Sequence, residues 1–152
     1  MGQYNRQQNM NRDEFPNVSD DVLKKIIVGQ DGIESARLTV EYGDKIGKAS
    51  KNVSSSQIRT VFTTIRAIEA EWSLNADPKD AENAFRQFIL LKSKLRYQAI
   101  RDNKLNGLVD LLNRGIDLVN GRTLDESREQ FQRFVDFFEA ILAYHKVAGG
   151  KN

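Results

Sequence analysis

With 152 residues, 39% of them apolar and 29% charged, the chain is long enough for one domain with one core, and no apolar run approaches the roughly 20 residues that cross a bilayer. It has no cysteine and a single histidine, so disulfides, thiolate nucleophiles and thiolate metal ligands are absent and a usual zinc set lacks half its members. The net charge of +2 is uneven: residues 1–50 carry 7 basic and 8 acidic groups, residues 51–102 carry 9 and 6, and residues 103–152 carry 7 and 7.

The first 17 residues are polar, rich in Asn and Gln, and without periodicity, which reads as a disordered lead ahead of a helical bundle domain over 18–148. The lead has no apolar stretch and is no secretory signal, so a soluble, cytoplasmic protein is expected. Ser19 or Asp20 can cap a short helix carrying Val22, Leu23, Ile26 and Ile27, which stops near Gly29. A second helical stretch follows from about Ile33 to Ile46, with last turns weakened by Gly43 and Gly47, since glycine costs about 1 kcal/mol in a helix interior.

Ser54 to Gln57 has capping-box spacing, and Ile58, Val61, Phe62, Ile65, Ile68 and Trp72 then repeat at three and four. Asp77 caps the next helix with Pro78 at its first position, and Ala81, Ala84, Phe85, Phe88, Leu91, Leu95 and Ala99 form its stripe. A further helix carries Leu105 to Val119 and ends at Gly121. Thr123 and Glu126 make a second capping box before the stripe Phe131, Phe134, Val135, Phe138, Ile141 and Leu142. No segment alternates at period two. The expected fold is all-α: a single-domain bundle of about five helices, four strong ones packed up and down with the weaker N-terminal helix laid across them.

Catalytic constellations are missing. His145 falls on the last apolar stripe, where a core or boundary histidine is the plain reading. Glu69 with Glu71, and Asp125 with Glu126, point to different faces of their helices and cannot converge on one reaction centre. Gly149-Gly150 precedes no helix and is no phosphate loop. No cofactor and no metal is expected.

The cations are better placed. Between residues 83 and 101, Arg86, Lys92, Lys94, Arg96 and Arg101 stand without an acid among them, a local excess that suits an anionic partner. Arg59 and Arg66 are seven apart and share a helix side with Thr63, while Gln87, Lys94, Gln98 and Arg101 fall away from their helix's core, so both sets suit phosphate or 2′-hydroxyl contact. Lys92 lies among apolar residues and either snorkels its ammonium to a rim or points at something negative. Arg114, Arg128 and Arg133 belong to the balanced C-terminal third, offset by Asp110, Asp117, Glu129 and Asp136. Two further pairs, Leu90 with Tyr97 and Phe137 with Tyr144, stand outside the main stripes at seven-residue spacing. They predict helices surrounded on more than one side or protein-contact sites.

Ser55-Ser-Gln-Ile-Arg59 with Phe62, then Lys94-Leu-Arg-Tyr97 with Arg101, then Phe134, Phe138-Glu-Ala-Ile141 and Ala143-Tyr-His-Lys146 resemble the small helical subunit of the type III-A (Csm-type) CRISPR effector complex. The likeness covers about residues 31–148. It implies a non-catalytic subunit in antiviral defense, present in several stacked copies beside the guide RNA paired with its target RNA, and in contact with other subunits of the complex. By position it implies RNA-binding roles for Arg59, Lys94, Arg96 and Arg101; the helical wheel adds Lys51 and Arg66. A helical adaptor that binds proteins and no RNA is the alternative.

Overall fold

The computed structural model describes residues 15–149. Its elements are α1 (Asp20–Ile27), α2 (Gly32–Ala49), α3 (Ser55–Glu71), α4 (Pro78–Arg101), a 3-10 turn (Asn103–Leu105), α5 (Asn106–Leu118) and α6 (Leu124–Val147). Five of the six helix starts have a side-chain cap. Ser19, Asp31, Ser54, Asp77 and Thr123 accept hydrogen bonds from backbone N–H groups of the following turn. The two capping boxes are half used. Ser54 and Thr123 cap as expected, but the Gln57 side chain bonds Asp102 and the Glu126 carboxylate meets Arg122.

Side-chain contacts fix the directions of the helices. Asn83 of α4 donates to Glu71 near the end of α3, and Gln57 near the start of α3 meets Asp102 past the end of α4, so these two helices are antiparallel. Phe88 of α4 packs edge-on against Phe131 and Phe134 of α6, Arg96 and Lys92 reach Asp110 and Asp117 of α5, and Phe62 of α3 stacks on Phe138 of α6. Helices α2, α4 and α6 therefore run one way and α3 and α5 the other. The upper end of the bundle holds the C-termini of α2, α4 and α6 with the N-termini of α3 and α5. Four fully buried phenylalanines, Phe88, Phe131, Phe134 and Phe138, form the centre, each contributing about 1.5–3 kcal/mol by leaving water. Trp72 is buried between Phe85 and Phe131 and closes the lower end.

The all-α class stands as expected, and no strand occurs among the described residues; they form six α-helices, one more than about five. The helix added to the four strong ones and the N-terminal one is α2. It continues to Ala49 through both glycines because it lies parallel to α6 at very short range. A Cβ on Gly43 would sit 2.6 Å from Cβ of Ala140, and one on Gly47 would sit 2.7 Å from the backbone N of His145 and O of Ile141. Propensity is overridden by the packing that the missing side chains permit.

Two further differences follow. Phe137 is 2% exposed, not outward-facing: with Arg133, Ala140 and Tyr144 it lies on the side of α6 that α2 covers. Its partner Tyr144 is half-buried there, so this pair marks an internal helix contact. At the start, Phe15 already packs on the core, its ring against Gly107 of α5, and Arg114 donates to the Val18 carbonyl at 2.6 Å. The packed chain thus begins ahead of residue 18. Residues 1–14 of the expected lead lie outside the described residues.

Candidate nucleic-acid interface

Successive residues of a helix are turned by about 100°, so known contacts assign every side of α3 and α4. On α4 the inner side carries Ala84, Phe88, Leu91 and Leu95, all buried. Lys92 and Arg96 leave toward α5, where Arg96 bonds Asp110 at 2.8 Å and Lys92 bonds Asp117. Lys94 and Arg101 leave on the opposite flank, toward α3. They share that flank with Asn83, which holds Glu71 at 2.7 Å. Both are exposed and make no ion pair among the described residues.

The cations of α3 stand elsewhere. Phe62 and Glu69 turn toward α6, where they meet Phe138 and Gln132, and Arg59 and Arg66 are their neighbours on the wheel. Arg66 bonds Glu69 at 2.7 Å and lies over the Phe62 ring at 5.6 Å. Arg59 is exposed without an ion pair among the described residues. Helix α3 therefore separates the Arg59/Arg66 side from the Lys94/Arg101 flank; the expected residues form no single track.

Free positive charge collects by height instead. Lys51, in the link between α2 and α3, Arg59 in the second turn of α3 and Arg101 at the end of α4 all belong to the upper end. Lys104, exposed in the 3-10 turn, joins them and was not singled out by sequence, where it follows the acid Asp102 and starts no helix. That carboxylate is the acid within the group. Its pKa is held below the ordinary aspartate value of 3.8, first by the hydrogen bond from Gln57 and then by the backbone N–H of Lys104. It braces α3 against the turn that carries Lys104.

The link bearing Lys51 is fixed from beneath. His145 is fully buried, and its Nε2 lies 2.8 Å from the carbonyl oxygen of Val53, to which it donates. This is a core histidine that ties the end of α6 to the start of α3. Two arginines of the C-terminal third are also structural: Arg114 holds Val18 and Asp20, and Arg133 donates to the Gly29 carbonyl. The acids that would offset them in sequence, Asp110 and Asp117, pair instead with α4. A polar cleft of about 420 Å³ lies between the α1–α2 turn and the first turns of α6, where Arg122 and Arg133 are engaged with Glu126 and Gly29. Among the described residues no three His, Asp or Glu side chains are grouped to hold a metal, and no helix is long and apolar enough to cross a membrane.

A family model described as Csm2 Type III-A matches residues 33–151, more than half of the chain. No curated protein and no solved structure matches it.

Proposed function

From the chain's membership of the Csm2 type III-A family, the small structural subunits of a CRISPR effector complex, we propose a finer role: a non-catalytic, cytoplasmic subunit that touches the backbone of guide and target RNA and associates with copies of itself. The observation that carries the RNA contact is the sorting of charge on α4. Two of its six cations are neutralised by α5, and Lys94 and Arg101 are left free on one flank, leading up to Lys51, Arg59 and Lys104. Lysine and arginine on helix surfaces reach phosphates without reading bases, so binding is independent of sequence and sensitive to salt. Few free cations make a single copy a weak binder, and affinity grows when several copies align on one RNA.

The exposed Leu90 and Tyr97 support a second reading, a helical adaptor held in the complex by protein contacts alone. Fluorescence anisotropy of two unrelated guide–target duplexes against the purified subunit, titrated with salt, separates the two. Equal binding of both duplexes that weakens steeply with salt is the expected result. Absence of binding by the subunit and by the assembled complex's small-subunit surface in crosslinking would leave the adaptor.

A further inference from the structure

Helix α4 is apolar on two sides. Opposite its buried face runs an outer strip of Arg86, Ile89, Leu90, Ser93, Tyr97 and Ile100, all exposed, with Tyr97 at 64% and Ile100 at 78%. It is flanked by Lys94 and Arg101 and has no acid from residue 83 to 101. Because Phe88 on the inner side of α4 meets Phe131 and Phe134 on the inner side of α6, the outer surfaces of these two helices lie back to back on opposite faces of the molecule. The outer band of α6 has the complementary character. Glu129 and Asp136 are exposed along it, Glu139 at its edge, and Ala143 and Val147 end it, Val147 at 73% exposure. Residues 134–145 contain no lysine or arginine.

The two surfaces also match in height. Helices α4 and α6 are parallel, and the Phe88 contact sets Arg86 level with Glu129; about three to four turns above Arg86, Tyr97 and Ile100 stand within about a turn of the height of Ala143 and Val147. A copy displaced sideways brings cation to acid and apolar residue to apolar residue along both helices. Two α4 strips facing each other would instead oppose Arg86, Lys94 and Arg101 with the same cations.

We propose that the outer strip of α4 in one copy docks on the outer band of α6 in the next, a heterologous contact that repeats into an open row. It rests on the reading that copies of this chain associate, and it names the surfaces. Because each copy keeps one face free, the row grows without closing. The contact leaves the upper end and the α3 flank of α4 facing outward along the row, so Lys51, Arg101 and Lys104 recur at each step.

The test uses two full-length variants in sedimentation velocity. Tyr97→Glu with Ile100→Glu blocks the α4 strip; Asp136→Lys with Val147→Lys blocks the α6 band. Both pairs are exposed, and unchanged helix content and Tm verify the folds. Wild type is expected to grow past the dimer with concentration, and each variant to stay at 17.3 kDa. Mixed together they should form a heterodimer of twice that mass and nothing larger, since each supplies the face that the other lacks. Variants that associate like wild type, or a mixture that stays monomeric, overturn the interface while self-association stands. A wild type that is monomeric both alone and on guide–target RNA overturns the self-association reading as well. An α4 variant that pairs with the α6 variant no better than with itself, yet fails to join the other subunits, assigns the strip to a different protein and overturns the proposal.

Discussion

Replacing Lys94 and Arg101 together by Gln removes two free cations from the α3 flank of α4 and leaves every described hydrogen bond in place. Each cation that neutralises a phosphate contributes about 0.7–0.9 to the slope of log affinity against log salt. Losing two should lower that slope by about 1.4–1.8. If a contact of this kind adds nothing near 1 M salt, the same loss at about 0.1 M is roughly 25- to 60-fold in affinity. Stability should move little, because exposed charges contribute about 0–1 kcal/mol each. Arg66→Gln with Arg96→Gln is the matched comparison: two cations again, but both engaged by Glu69 and Asp110. Anisotropy across a salt series, with thermal melts of wild type and the two double variants, reads both quantities. Equal slopes for the two double variants would show net charge acting at a distance and would sink the assignment to this flank. Arg114 and Arg133 do not serve as charge controls, since removing either strips a donor from a backbone carbonyl.

Gly47→Ala should lower the melting temperature, as the added carbon meets backbone atoms 2.7 Å away and overpacking of about 1–3 kcal/mol exceeds the propensity gain of about 1 kcal/mol; Gly32→Ala, with nothing nearer than 3.9 Å, should not. A stabilised Gly47→Ala would show that the helices separate freely. Arg114→Met should cost about 1–3 kcal/mol in urea unfolding by leaving the Val18 carbonyl unpaired, with RNA affinity unchanged. Asp102 has a folded pKa below its ordinary 3.8, so its stabilisation is fully present above that value and is lost as pH falls through the lower, folded one; Asp102→Asn should flatten the acid limb of stability against pH, and an unchanged limb would discount the Gln57 bond. For Lys25, raised above 10.5 mainly by Asp21 and then Glu34, stabilisation is present below 10.5 and fades as pH rises through the folded value, so Lys25→Met should alter only the alkaline limb.

What could be read from sequence was whatever depends on near neighbours along the chain. Caps at Ser54, Asp77 and Thr123 act within three residues, and the 3.6-residue stripes need only one helix. The burial of Phe137 depends on a helix some ninety residues earlier, whose glycines look like breakers until their partner is known. The cations show the same division. Seven-residue spacing places Lys94 and Arg101 on one side of α4, and they stand together. It also places Arg59 and Arg66 on one side of α3, but nothing local says that this side turns toward α6 and away from α4. Nor does it say that Arg66 meets Glu69 while Arg96 meets an acid fourteen residues on.

Those ion pairs matter more for where charge is left than for stability. Exposed pairs such as Arg96 with Asp110, or Lys92 with Asp117, each add at most about 1 kcal/mol. Their effect is to cancel the cations on the α5 flank of a helix that carries six. The same helix then presents a neutral flank, a cationic flank and an apolar outer strip in successive sectors. Phosphate attraction falls off within roughly 10 Å at 0.1 M salt, so sectors a helix diameter apart are read separately by whatever lies against them. On the proposed reading, a polyanion is directed to the α3 flank and the upper end, and the outer strip is left for a surface that is both acidic and apolar. If both proposals hold, one helix packs the core, meets RNA and meets protein without any side chain being asked to serve two of them.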